Sequence, residues 1–491
     1  MRFAARRLDF LTEQEITAIV DYALRILDEV GMRIENTRMC ERLAEAGAAW
    51  DPSASLRAGN RFGVRFPRKL IEAHIETERS EEPPDDQFYC EGGISSYPLR
   101  WLDPVDLEVK FQTVQSVIDL TRLCDFLPNV HGIGSVGVPS DIPPLLRPFW
   151  MRFIDWRYAE QTLANSYVIW DARLCPYILE FVQAMVEAEP GRGGMERYFR
   201  ANNYLISPLR YAKEEAEQFM WFHDHGARCT IGNLISIGGT APVTIAGAVG
   251  LGLAETLGIS FIMKTFYGDR GLSLYSGPAP LDMRTGVMPY GRPEETLAKL
   301  AMTQVVEHLG APSRGAVAGG TCSKATDFEA GLTMGMGAGL DVALLGKLNL
   351  RFGPLSTDEY HDPRLIVIQD EFAEGLKRLA RGFEVSRDTL PFDVVKEVGP
   401  GGTFLDHPHT LEHFRKELWL PELFSGENYE SWAQGSRETI LDKARKKVLD
   451  ILDSYHPRGM NEETEEKLLD LIDRFAEDLG IADYQRPTLT G

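Results

Sequence analysis

Three histidines crowd one short stretch of this 491-residue chain. His407, His409 and His413 follow a turn-forming Gly399, Pro400, Gly401, Gly402 run and lead into Phe414, Arg415, Trp419, Tyr429 and Trp432. Glycines free the backbone but add nothing to a core, so the stretch reads as a site or an interface. His409 and His413 have the i, i+4 spacing that lets two imidazoles share a zinc ion from one helix face. Pro408 and Thr410, however, place the helix start about there. Thr410 as its cap, with His413 near the third helical position, accounts for the same residues without a metal. No cysteine stands near and no HExxH occurs, so no metal is expected.

Other candidates are spread along the chain. Asp282 and Arg284 offer one acid and one base within 281–286. Ser323, Lys324, Asp327 and Glu329 form a second polar group, with Lys324, Asp327 and Glu329 the candidates for acid–base chemistry. Asn233 and the aromatics Trp170, Tyr275, Tyr290, Phe352 and Tyr360 fall at or near the ends of short apolar runs. Aromatic faces beside carboxylates are what a quaternary ammonium ion needs, although for any one ring a place in the core is the better reading. Gly132, Gly134 and Gly137 match the dinucleotide pattern by letter, but they sit inside an apolar run followed by Pro139 rather than a helix, so the match fails on context. No GxSxG occurs to support a serine nucleophile.

Bulk composition narrows the class. The chain is 44% apolar and 25% charged, as a soluble globular protein is. A formal charge of −21 argues against a nucleic-acid binder, which needs a basic face. Six cysteines without a CxxC pair, and a first ten residues without an apolar core, fit reduced thiols in a cytoplasm. The longest apolar run, 241–263, carries Glu255 and four glycines, so it reads as a buried helix and no membrane span is expected.

The elements that must position these residues follow from periodicity. Helices are expected over 11–30, capped by Thr12 and stopped at Gly31, and over 37–46 and 67–77. Residues 1–110 then form an N-terminal helical elaboration. From residue 112 short apolar runs alternate with helical stretches. Candidate strands are 130–138, 164–170, 202–207, 227–233, 272–277, 314–318, 348–352 and 394–398. Eight such units predict an α/β fold, a (β/α)8 TIM barrel over 111–435, with a doubly wound open sheet as the alternative. Residues 436–491 read as two charged amphipathic helices, packed on the barrel or at an oligomer interface.

Several segments together resemble the trimethylamine methyltransferase superfamily. They are 11–31, 238–247 with Ala254 and Glu255, 282–286, 291–294, Ser323 and Lys324 with Asp327, and the glycine–histidine segment through Trp432. The resemblance implies a TIM barrel that passes methyl groups to a corrinoid protein. Members acting on trimethylamine carry pyrrolysine, and this chain has only standard residues, so it resembles the branch whose substrates are glycine betaine and related quaternary amines. It lacks the Asp-x-His-x-x-Gly signature of corrinoid carriers. The resemblance therefore implies no cofactor held tightly in this chain, and a corrinoid supplied by a partner protein docking over the barrel mouth. Homo-oligomerisation is implied by the same likeness.

On that reading Tyr275, Trp170, Phe352 and Tyr360 are the candidate cage residues, while Arg284, His407, His409 and Asn233 are candidates for the substrate's polar end or for the corrinoid. Where relatives carry Gln-Ala-Gly-Tyr-Glu, this chain has Glu329, Ala330, Gly331, Leu332 and Thr333, which leaves the identity of the amine open. The competing readings are a demethylase of O- or S-methyl compounds and a non-catalytic betaine-binding barrel.

Overall fold

The computed structural model describes residues 10–52, 63–80, 89–131, 135–160, 165–189, 194–272, 274, 277–312, 317–457 and 459–489. Helix α1, Glu13–Arg25, starts on a capping box in which Thr12 and Glu15 satisfy each other's backbone donors. It continues as a π-helical turn to Val30 and stops at Gly31, whose φ of +75° suits glycine. Further helices span Thr37–Glu45 and Arg68–Glu78.

Then the alternation begins. Strand β1 is Tyr89–Ile94, followed by helix α2, Val114–Phe126, and helix α3, Arg147–Tyr158. Next come β2, Asn165–Val168, with α4, Cys175–Ala188, then β3, Phe199–Leu205, with α5, Lys213–Asp224. Strand β4, Cys229–Asn233, leads to α6, Ile245–Tyr267, and then to α7, Pro293–His308. The last units are β5, Val317–Ala318, with α8, Phe328–Leu340, and β6, Lys347–Phe352, with α9, Pro363–Arg381.

These six strands form two parallel ribbons, β2-β3-β4 and β5-β6-β1, while shorter strands such as Met32–Ile34 with Gly63–Arg65 and Arg100–Leu102 with Val109–Phe111 form smaller sheets beside them. Pairing of β6 with β1, in register from Lys347 opposite Tyr89 to Phe352 opposite Ile94, joins the end of the series to its beginning and closes the barrel. The expected strands 130–138 and 272–277 fall partly on residues outside the described ones, 132–134, 273, 275 and 276, and their described residues are not in strands. His131 donates its N–H to the Gly92 carbonyl at 2.7 Å, which lays that stretch beside β1.

Two sequence expectations are corrected here. Residues 394–398 are helical, within Phe392–Val398, and not a strand. A run of five residues between Pro391 and Gly399 is too short for its period to decide. The barrel also begins before residue 111, because β1 lies inside the stretch assigned to the N-terminal elaboration. Its Gly92 and Gly93 give it little strand propensity, yet a Cβ at Gly92 would collide with the Phe352 ring and the Asn129 carbonyl.

Helix α6 is long and apolar enough to cross a membrane by length and composition, but 83% of its apolar window is buried. It packs between α1 and α7, and its glycines permit close approach: Gly250 faces the Tyr22 ring and Gly258 faces Met32. At the C-terminus, helix α10, Phe392–Val398, and helix α11, Pro408–Glu417, precede α12, Ile440–Ser454, and α13, Glu462–Asp478. Helix α12 packs on α9 and α2, and α13 packs on α4 and α3. There Phe475 meets Phe149, Tyr177 and Phe181.

The first and last helices of the barrel wall are locked by a buried pair. Asn129, just after α2, donates both its backbone N–H and its Nδ2 to Asp370 Oδ1 of α9 at 3.0 Å. Burial pushes the Asp370 carboxyl up, and the two donors pull it back. Replacing Asp370 by Ala leaves buried donors without an acceptor, which costs about 1–3 kcal/mol each. Asp370→Ala is expected to lose about 3 kcal/mol overall, read as a lower urea midpoint.

Candidate active site at the barrel mouth

Burial alternates along β3 residue by residue, so Phe199, Ala201, Asn203 and Leu205 face the helices while Arg200, Asn202 and Tyr204 face the lumen. Asn203 confirms the outward side, because its Nδ2 donates to the Glu215 carbonyl of α5. Strand β6 alternates in the same way: Leu348, Leu350 and Phe352 are buried, and Asn349 and Arg351 turn inward. The lumen is therefore lined with polar groups. Thr230 Oγ1 donates to Asn202 Oδ1 at 3.0 Å, and Gly232 leaves room for the Tyr204 ring, since a Cβ there would come within 2.7 Å of it.

At the C-terminal end of the strands these side chains meet residues from the loops above. Arg351 forms an ion pair with Asp358 at 2.7 Å, its guanidinium lies 5.6 Å from the centre of the Tyr290 ring, and it hydrogen-bonds that residue. Tyr97, in the loop after β1, hydrogen-bonds Tyr204 and lies within the field of both Arg351 and Asp358. Burial pushes the phenol of Tyr290 up, so it stays neutral. The result is a cluster in which Tyr290 and Tyr97 border one guanidinium and one carboxylate, with Tyr204 beside Tyr97. Gln369 of α9 fixes the strand end beneath them, accepting from Gly353 N at 2.7 Å and donating to the Arg351 carbonyl at 3.1 Å.

The loop that supplies Asp358 is held in an unfavourable conformation. Ser356, Thr357 and Asp358 have φ of +54°, +57° and +66°, the left-handed region, which costs a non-glycine residue about 1–2 kcal/mol. Ser356 N donates to the Ser323 carbonyl and Thr357 N to the Thr321 carbonyl, at 2.8 and 3.0 Å, and Ser356 Oγ donates to Glu359. Thr357 Oγ1 and Asp358 Oδ1 are buried without a hydrogen-bond partner. Around this cluster the loops after successive strands expose apolar side chains: Leu99, Trp170, Ile206, Leu234, Val243, Met283 and Val287.

A profile of the trimethylamine methyltransferase family matches residues 2–480. The chain belongs to the trimethylamine methyltransferase family. It is similar to a glycine betaine methyltransferase of Desulfitobacterium hafniense, 25% identical over 495 residues, covering 96% of this chain and 98% of the relative. It is also similar to a proline betaine:corrinoid methyltransferase of Eubacterium limosum, 28% identical over 229 residues and 46% of each chain. Among solved structures, the monomethylamine methyltransferase of Methanosarcina barkeri aligns over 89% of this chain and 94% of its own, with a TM-score of 0.41 and 14% identity.

Within this family member the residues singled out by sequence are dispersed. Asp327 caps α8, accepting from Ala330 N and Ser323 Oγ, and those donors hold its carboxyl below the usual range. Lys324 donates to the Cys322 carbonyl, and Glu329 is exposed on the first turn of α8. Phe352 is fully buried against β1. Tyr360 is buried with its hydroxyl donating to the Lys324 carbonyl at 2.6 Å. Asn233 donates to Glu255, which also accepts from Ser207 Oγ and Leu209 N, so that one buried carboxyl ties the ends of β3 and β4 to α6. Burial raises that carboxyl, and its three donors pull it back.

Arg284 is 82% exposed and paired with Asp282. Trp170 stands exposed on the rim, and Tyr275 lies outside the described residues. His407, rather than Thr410, caps α11, with its Nδ1 accepting from His409 N. Both histidines belong to a segment that leaves the far end of α9, away from the strand C-termini.

Sequence reasoning named Tyr290 among the aromatics but passed over Tyr97, Tyr204, Arg351 and Asp358. The signal was present for one of them: strict alternation in 347–352 marks Arg351 as an inward polar residue, whereas Asn202 and Asn203 break the pattern before Tyr204. Nothing local marks Tyr97 or Asp358.

Behind Gly319 and Gly320 a small polar cavity of about 30 Å³ is lined by Glu295, Lys299, Thr333 and Asp341. Burial raises the Asp341 carboxyl from 3.8 to about 7, with Lys299 opposing the shift. A raised carboxyl holds its proton longer in the folded state, so its contribution is full below about pH 4 and is lost as pH rises through 7. Asp341→Asn is expected to remove that dependence and to be the more stable protein at pH 8 by on the order of 2 kcal/mol, compared in urea at pH 5 and pH 8. At the mouth, Thr357→Gly relieves a β-branched residue of its left-handed φ. It is expected to unfold at higher temperature, by up to about 1 kcal/mol, while losing turnover.

Proposed function

We propose that this chain is a methyltransferase that removes one methyl group from a betaine-type quaternary amine and delivers it to a corrinoid carried by a separate protein. The observation that carries the reading is the tyrosine cluster around the Arg351–Asp358 pair, at the mouth of a polar lumen in a member of this family. A trimethylammonium group has no N–H to donate, so it is recognised by aromatic faces and by charge. Tyr97, Tyr204 and Tyr290 offer the faces, and Asp358, with one carboxylate oxygen lacking a hydrogen bond, offers the charge. Arg351 is the cation placed to orient a substrate carboxylate at the other end.

The amine nitrogen is already fully charged and leaves as a neutral tertiary amine, so no side chain need protonate it. The chain's residues then have three tasks: to strip water from the cation, to hold one methyl toward the mouth, and to keep the approach in line. The corrinoid, when its carrier docks, supplies the reduced-cobalt nucleophile. The apolar rim from Leu99 to Val287 suits a protein that binds and leaves between turnovers, because exposed apolar patches mark such contacts.

The test is to mix the protein with a reduced corrinoid carrier and a panel of betaines while following loss of the Co(I) absorbance. Betaine-dependent loss is expected. Binding by calorimetry without any cobalt methylation sinks the transferase reading, and activity on neutral methyl ethers instead sinks the cation cage. Arg351→Ala is expected to weaken binding of glycine betaine at least about tenfold while sparing choline, which lacks a carboxylate. Met283→Asp is expected to raise KM for the carrier alone.

A further inference from the structure

Between Gly382 and Leu423 the chain leaves the barrel wall and buries nothing. Every residue of 383–420 is exposed or half-exposed, and neither α10 nor α11 has a buried residue. The arm is nonetheless strongly apolar. Phe383, Val385, Leu390, Phe392, Val395, Phe404, Leu405, Leu411, Leu418 and Leu420 are between 43% and 82% exposed.

A fully exposed aromatic or large aliphatic side chain presents on the order of 150–200 Å², so these residues together offer on the order of 1,000 Å². A soluble monomer leaves a few hundred Å² in its largest patch, and one side of a stable interface buries roughly 800 Å². The arm is also ordered by its own contacts rather than loose. Arg378 of α9 donates to the carbonyls of Gly382 and Glu417 at its two ends, Trp419 lies on Gly375, and Glu371 accepts from the backbone of Glu422 and Leu423.

A second surface is uncovered on the neighbouring helix of the wall. Helix α8 turns Ala330, Met334 and Ala338 inward and leaves Phe328, Leu332, Met336 and Leu340 exposed at four-residue intervals. Gly331, Gly335 and Gly339 run beside them, and a Cβ on any of the three would meet nothing within 4 Å. Each glycine costs a helix interior about 1 kcal/mol relative to alanine, and nothing in the single chain offsets that cost.

We infer that the arm of one copy of this chain covers the α8 stripe of a second copy, and that the protein assembles through this face. The arm leaves α9 at Gly382, the end opposite the strand C-termini, and returns along that helix to Gly375 and Glu371, so it lies along the barrel wall, where the equally apolar α8 stripe of a second copy is the surface that matches it. The two surfaces differ, one donating an apolar hairpin and the other a shallow helical face. Two copies satisfy both reciprocally, as an isologous contact does. The glycines let the arm approach the α8 backbone.

Mass measurement by light scattering and by sedimentation tests this at micromolar concentration. The wild-type chain is expected at a multiple of 55.1 kDa. Two variants break the face from either side. Phe392→Asp with Leu405→Asp charges the arm. Gly331→Ala with Gly335→Ala and Gly339→Ala fills the stripe while favouring the helix itself. Each is expected to raise the concentration below which the 55.1 kDa monomer dominates by at least about tenfold, with the glycine variant's far-UV helicity kept or raised. A monomeric wild type overturns the proposal, as does an assembly unchanged in both variants. Dissociation by the arm variant alone, with the glycine variant still assembled, overturns the pairing of arm with α8.

Discussion

The pairing of β6 with β1 governs what the rest of the molecule can do. It brings residues 89–94 beside residues 347–352, more than 250 positions away, and it needs a glycine at 92 because the Phe352 ring and the Asn129 carbonyl fill the space of a side chain. Once those strands are in register, Arg351 can only point into the lumen and Phe352 only into the wall. The Asn129–Asp370 hydrogen bonds repeat the closure one layer out, between the helices that follow the first strand and the last.

Closure also explains why the mouth tolerates strain. Three consecutive left-handed residues at 356–358 are held by hydrogen bonds to the loop after β5 and by the Asp358–Arg351 ion pair, so the cost is met by a rigid frame rather than by the loop. The same frame sets the chemistry. A lumen lined by Asn202, Tyr204, Thr230 and Arg351 disfavours an apolar guest. Below the mouth, Glu255 does the quieter work of joining two strand ends to α6, which is why Asn233 serves the scaffold.

Much of the fold could be read in the residues. Thr12 and Gly31 bracket the first helix as their chemistry requires, and Glu255 with its neighbouring glycines marked a core helix rather than a membrane span. The alternation of strands and helices gave the barrel. Its first strand escaped notice because Gly92 and Gly93 carry no propensity, their reason being a ring from a distant strand. The 394–398 run misled because Val394, Val395 and Val398 fit either period over so few residues. Trp170, read from the sequence as a candidate cage residue at a strand end, follows β2 and is exposed. Phe352 and Tyr360 turned out to be packing, since strand-end position does not tell inward from outward without the register.

By itself, the sequence determined the class of fold, the family and the kinds of side chain available, because caps, periods and motif order are local properties. Which of its polar groups share a site was decided only by the tertiary structure. Tyr97, Tyr204, Tyr290, Arg351 and Asp358 come from four separate strand–loop units, and only strand pairing converts their separate positions into one cluster. The histidine-rich arm shows the converse. Its composition announced a special surface, but α9 runs away from the strand C-termini and the segment departs from its far end, at Gly382.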